Sequence, residues 1–310
     1  MDSLEGLLSH LEPEIEDSEE ETFLLYSQPI PSLNLGFIDP RASIVDVTVA
    51  GRDFAIHQSP SVLSSNRAGG TTGAVLWKIT PTFATWLASP SNPLFTSGAL
   101  GGPLSASVLE LGCGISPLSA LALAPRVARY VLSDQPYVQR LLQRNLDENL
   151  PSVSGPHSGS GSGSGSGPRV RGKKRGAAAA PAPQPSVRFT ALDWETDEVT
   201  PSLTGSDQVR SFDAVVACDC VYNYALVAPF VQTCADACRL RIEDSTEDRP
   251  CLCVIGQQLR NDEVFESWLK TFHTSFRVWR VPDAALPEEL RSSAGFVVHV
   301  GILRDASPST

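Results

Sequence analysis

An α/β fold built on a doubly wound, mostly parallel seven-strand sheet is what this 310-residue sequence predicts. Three observations carry that expectation. Short apolar runs alternate with amphipathic helical stretches over most of the chain. A turn bearing two glycines, Gly112 and Gly114, directly follows one of those runs. Short polar strings then stand at the ends of successive runs, where ligands bind in open sheets of this kind. One antiparallel strand near an edge and an N-terminal β-hairpin extension complete the expected architecture.

In chain order, residues 1–22 are dominated by Asp and Glu and read as an acidic, disordered tail. Residues 23–106 read as an N-terminal extension: "SIVDVTVAG" and "RDFAIHQS" form a hairpin across Ala50-Gly51, and "TTGAVLWKITPTFATWLAS" leads into a helix. The core is expected over 107–304. "SVLEL" (107–111) is its first strand, after which Ser116 caps a helix with Pro117 at its first position. "ARYVLSD" (128–134) is the second, and Pro136 opens a helix with Val138, Leu141, Leu142 and Leu146 on one face. "VRFTALDW" (187–194), "FDAVVACDCVY" (212–222) and "CLCVIGQQ" (251–258) follow as strands, the last two each before a helix. "FRVWRVP" and "FVVHVGILR" close the core as two strands, and 305–310 form a short tail. A flexible insert at about 154–186 runs from Gly/Ser repeats through a basic cluster, Arg169 to Arg175, into Ala and Pro.

Net charge is −11, which disfavours grip on a nucleic-acid backbone and favours a basic protein partner. No apolar run approaches the ~20 residues of a membrane span. The acidic N-terminus is unlike a signal or transit peptide. Seven cysteines, mostly in apolar runs, read as buried thiols of a reducing compartment, and no metal site is expected. A monomer in the cytoplasm is expected, with the basic cluster allowing a nuclear address.

The chemistry gathers at strand ends. Gly112 and Gly114, flanking Cys113, permit a tight turn and close approach of a ligand. Asp134 lies 20 residues past Gly114, at the end of the second strand, where a carboxylate accepts both hydroxyls of a ribose. NAD and S-adenosylmethionine are both allowed to this point, although a dinucleotide fingerprint would want a third glycine where Pro117 stands. Glu110, two residues before Gly112, gives the acidic-x-Gly-x-Gly loop of methyltransferases. Asp193-Trp194 offers an acceptor and an aromatic face to adenine. Asp219 and Tyr222, spaced D-x-x-Y in "CDCVYN", stand where a reacting methyl would project.

Together these strings resemble the class I, seven-strand S-adenosylmethionine-dependent methyltransferases, and within them protein-lysine methyltransferase family 16. The matching stretches are "GAVLWKIT", "LELGCG", "SDQ", "LDW" and "CDCVYN", spread over roughly 44–304. "DCVYN", "FVQTCADACRL" and "GQQLR" look most like the fungal ribosomal lysine methyltransferase 5 branch, which modifies a large-subunit ribosomal protein of the L1 type. The resemblance implies that Trp77, the Gly112–Gly114 loop, Asp134, Trp194 and the backbone near Cys218 hold the cofactor. It implies that Asp219 docks and aligns the acceptor amine while Tyr222 walls its channel. Ser116 departs from the pattern, since many relatives carry a third glycine there. Two competing readings are a methyltransferase of a nucleic acid or small molecule, and a non-catalytic scaffold that keeps the fold. The string "DCVY" lacks the Pro-Pro of amino-methylating DNA enzymes, and this and the acidity of the chain count against a nucleic-acid substrate.

Overall fold

A computed structural model describes residues 3–31, 36–67, 70–102, 104–150, 186–244 and 249–304. Its elements in chain order are α1 (Ser3–Leu8), α2 (Ser18–Tyr26), β1 (Ile44–Val49), β2 (Arg52–His57), α3 (Pro60–Leu63), α4 (Ile79–Ala88) and α5 (Pro93–Thr96). The core follows as β3 (Ser107–Leu111), α6 (Leu118–Leu123), β4 (Arg129–Asp134), α7 (Gln139–Asn149), β5 (Ser186–Ala191), β6 (Ala214–Cys218), α8 (Tyr224–Glu243), β7 (Leu252–Gln258), α9 (Asp262–Ser275), β8 (Phe276–Arg280) and β9 (Phe296–Leu303).

The seven-strand sheet has the order β5-β4-β3-β6-β7-β9-β8. Strands β3 to β7 run parallel, and β9 lies antiparallel between β7 and β8. β3 is central: all five of its residues are buried. Val108 faces the layer of α4, α6 and α7, whereas Leu109 and Leu111 face the layer of α8 and α9. Such two-sided burial is why this strand reads as a continuous apolar run rather than an alternation. The chain winds outward from β3 in both directions, so the crevice beyond the ends of β3 and β6 is the topological switch point. β1 and β2 form the expected hairpin as a separate two-stranded sheet.

The first 26 residues depart from expectation. Instead of a disordered tail, α1 and α2 fold onto the sheet, with Leu7, Ile15 and Leu25 buried. Asp17 caps α2, accepting the Glu19 N–H at 2.8 Å. Glu21 is buried and accepts the Arg280 Nη1–H at 3.0 Å, with His299 Nε2 at 3.3 Å. Glu14 pairs with Arg277 of β8 and bridges Trp279. The acidity therefore complements arginines on an otherwise open edge strand, which the segment covers. Composition registered the charges and overlooked the sparse apolar anchors between them. A smaller departure lies after β3: α6 begins at Leu118 with Pro117 as its cap, and Ser116 Oγ is only a 3.4 Å acceptor for the Leu118 N–H. The insert and the 305–310 tail lie outside the described residues, except that Ser186 opens β5.

Candidate active site

The carboxyl ends of β3, β4, β5 and β6 open onto one cavity of about 440 Å³, within the range of small-molecule cofactor sites. Every site residue singled out from the sequence lines it: Trp77, Glu110, Gly112, Cys113, Gly114, Asp134, Asp193, Trp194, Cys218, Asp219 and Tyr222.

The glycine turn forms its floor. Gly112 has φ +66°, and a Cβ there would stand 2.6 Å from Cys220 Sγ and 3.1 Å from the Trp194 ring. Gly114 has φ +57°, and its Cβ would meet the Gly73 carbonyl oxygen at 2.9 Å. Shape as well as backbone conformation therefore demands glycine at both positions. Gly73 opens the "GAVLWKIT" stretch leading into α4, in which the sequence reading singled out Trp77 alone. The Gly73 carbonyl accepts the Ile115 N–H at 2.9 Å, and its own N–H donates to the Tyr137 hydroxyl at 3.0 Å. The Thr-Thr-Gly run at 71–73 was the available signal.

Asp134 ends β4 with Oδ2 accepting the Gly114 N–H at 2.8 Å and Oδ1 accepting the Gln135 N–H at 2.6 Å. Burial outweighs these amides and pushes its carboxyl up to about 6. Glu110 is buried beneath the turn, where it accepts the Tyr130 hydroxyl at 2.7 Å, and burial pushes it up to about 7. Asp193 accepts the Glu195 N–H at 3.0 Å, which fixes the turn presenting Trp194. The Trp194 ring packs at 5.1 Å on Phe230. Cys218 donates to Thr80 Oγ1 at 3.8 Å, and burial pushes the thiols of Cys113, Cys218 and Cys220 well up, so none is a ready nucleophile.

The other end of the cavity is built by the turn after β6. Asp219 sits there with φ +61°, a conformation that an Asp tolerates better than most residues. Its side chain is 1% exposed, and its carboxylate is gripped by the guanidinium of Arg260: Nη1 donates to Oδ1 at 2.8 Å, and Nη2 donates to Oδ2. The Gln258 N–H adds a third bond at 3.2 Å. The sequence reading gave Asp219 the docking of the amine and contained Arg260 only as the last residue of "GQQLR", without a role. Its place just past β7, the strand paired with β6, was the signal. Tyr222 is 40% exposed at the mouth, where its oxygen accepts the Thr72 Oγ1–H at 3.2 Å. Trp77 donates its indole N–H to the Thr72 carbonyl at 3.2 Å and packs on Phe37.

A seven-strand sheet with an inserted antiparallel strand, and this cavity at its switch point, define a class I methyltransferase. No protein-family model matches the chain. Among curated proteins it is similar to ribosomal lysine N-methyltransferase 5 of Zygosaccharomyces rouxii, 31% identical over 231 residues that cover 70% of each chain. Proteins of the same name from further fungi align as well. It is also 26% identical over 269 residues to the diaminohydroxyphosphoribosylamino-pyrimidine deaminase of Schizosaccharomyces pombe, spanning 85% of this chain but only 53% of that one. Among solved structures, N-methyltransferase NodS of Bradyrhizobium japonicum, in complex with S-adenosyl-L-homocysteine, aligns at 10% identity and a TM-score of 0.36, covering 72% of this chain and 86% of that one. The chain belongs to the ribosomal lysine N-methyltransferase 5 family and is a protein-lysine methyltransferase.

Enzymes of this class use S-adenosylmethionine, and the residues present fit it. Gly112 leaves a cradle that a Cβ would fill, and Asp134 stands at a strand end suited to ribose hydroxyls. The Trp194 indole N–H is buried with no hydrogen-bond partner among the described residues.

Proposed function

We propose that this chain methylates a lysine of a large-subunit ribosomal protein of the L1 type. The observation that carries the reading is the meeting of the glycine turn and the Asp219/Tyr222 pair on a single cavity. The names of its relatives support a ribosomal acceptor. A net charge of −11 supports a basic protein partner for a monomeric enzyme. Seven free cysteines support a reducing compartment, the cytoplasm, and the basic cluster of the insert adds the nucleus.

Bound in the cavity, S-adenosylmethionine supplies a methyl carbon on a positively charged sulfur. Asp134 would accept the ribose hydroxyls, Trp194 and Asp193 would hold the adenine, and Trp77, Glu110, Cys113 and the backbone at Cys218 would complete the pocket. At the other end the acceptor must arrive with a lone pair. A lysine of pKa ~10.4 is only about 0.1% neutral near pH 7.4, a cost of roughly 4 kcal/mol. Tyr222 walls the amine's path, and exclusion of water there lowers its pKa. A carboxylate offers about four acceptor positions. Arg260 and the Gln258 amide take three of those on Asp219. One position is left for an amine N–H, which aligns the nitrogen, and the proton leaves to water. Alignment of this kind supplies much of the rate.

The test is transfer of tritiated methyl groups from S-adenosylmethionine into proteins extracted from large ribosomal subunits, followed by identification of the modified amino acid. Label in methyl-lysine of an L1-type protein is expected. Label destroyed by nuclease rather than protease would replace the reading with nucleic-acid methylation. Failure to bind the cofactor by calorimetry would leave only a scaffold.

A further inference from the structure

Arg260 is held from several sides. Besides its two bonds to Asp219, Nη2 donates to Gln258 Oε1 at 2.9 Å. The guanidinium carbon lies 4.9 Å from the Trp77 ring centroid, a cation–π arrangement. Gly36 closes over it so tightly that a Cβ there would come within 2.6 Å of Nη2. A guanidinium so anchored is not one that an incoming ammonium displaces. Arginine also presents a planar fork of donors that matches a carboxylate, as lysine does not.

We infer that Arg260 is a positioning residue that cancels the charge of Asp219, so that the acceptor lysine is aligned without being held protonated. The inference rests on the lysine reading above. Alignment and deprotonation otherwise conflict. A lone carboxylate within about 4–6 Å of an amine raises the amine's pKa by 1–3 units. That would cut the reactive, neutral fraction about 10- to 1000-fold. A bidentate Arg–carboxylate pair keeps the oxygen lone pairs in place while its net charge is zero. Among the described residues, Tyr26 of α2 faces the Arg260 side of the pair, with Asp262 of α9 acting on Tyr26 in turn. On the Asp219 side are Cys218, Cys220 and, beyond them, Glu110. The phenol and thiols are neutral. Asp262 and Glu110 are common to every variant below, so differences between variants report the pair.

The test is the pH–kcat profile for methyl transfer into proteins extracted from large ribosomal subunits. Arg260→Gln exposes the carboxylate and should move the rising limb at least about one unit to the alkaline side. Asp219→Asn exposes the guanidinium and should move it the opposite way, whatever its effect on the plateau. Arg260→Lys should keep the wild-type midpoint, and the Arg260→Gln/Asp219→Asn double variant should return to it. A second readout needs neither cofactor nor turnover. Millimolar n-butylamine, a lysine side-chain mimic, should raise the Tm of Arg260→Gln by a few degrees at neutral pH, and that of the wild type and the double variant by much less. Midpoints unmoved in both single variants, or an equal butylamine response in all proteins, would overturn the inference and leave Arg260 a structural strut. If Arg260→Gln does not fold, an unmoved midpoint in Asp219→Asn overturns it alone. An absence of methyl-lysine with wild-type enzyme is a failure of the lysine reading, and the butylamine arm still judges the charge pair.

Discussion

Asp134 and Asp219 line one cavity from strands on either side of β3, each just past or at the end of a parallel strand, yet their surroundings differ in kind. Asp134 is held by two backbone N–H groups and burial pushes it up to about 6. Asp219 is held by a guanidinium and is almost fully buried. Two backbone N–H groups bring no net charge to set against a carboxylate, whereas a guanidinium cancels it. Under the function proposed above, the difference matches two tasks. The cofactor end needs an acceptor for hydroxyls and gains from a charge opposite to a sulfonium. The acceptor end must orient an amine whose proton has to leave.

Asp219→Asn should break the contrast most severely. Losing the paired carboxylate misaligns the amine, and kcat should fall about 10²-fold while cofactor affinity stays within about twofold. Initial rates and calorimetry on the same protein check this; a wild-type rate would make the strand-end carboxylate purely structural. Gly112→Val attacks the other end. Its side chain would run into Cys220 and Trp194 from a φ of +66°, so cofactor Kd should rise at least about tenfold, some 1.4 kcal/mol. Circular dichroism confirms that the variant is folded before the titration is read.

The pH dependence sharpens the contrast. With Asp134 at about 6 in the free protein, cofactor affinity should weaken by about tenfold for each unit below that value. Asp134→Asn should bind weakly at every pH, with a flat profile; a sloped profile in that variant would assign the titration elsewhere. Stability should run the other way. Asp134 and Glu110 both have folded-state values above those of the unfolded chain, at about 6 and about 7. Their contribution is therefore full below about pH 4 and lost as pH rises through 7. The Tm of cofactor-free protein should fall across that window, and Glu110→Gln should flatten its upper part. Tyr222→Phe is the mildest change. It removes one partly exposed hydroxyl bonded to Thr72, a bond worth about 1 kcal/mol, so a loss of about fivefold in kcat/KM is expected.

The sequence by itself determined the class of sheet, the succession of strands and helices along the chain and the strings that stand at the strand ends, because each of these is written in local chemistry. An apolar run such as "SVLEL" has no alternative to burial, and glycines at 112 and 114 have no alternative to a turn. Eleven residues read this way all line one cavity. Three features belonged to the tertiary structure alone. The acidic N-terminus folds because its few apolar residues find a sheet edge and its glutamates find Arg277 and Arg280, more than 250 residues away. Gly73 supports the glycine turn from a segment 39–41 positions earlier than Gly112 and Gly114. Arg260 meets Asp219 because β6 and β7 are neighbours in the sheet, which brings together groups 41 positions apart. Local periodicity reports which face a residue presents, but a charge's partner is chosen by strand order and register, and those exist only once the chain has folded.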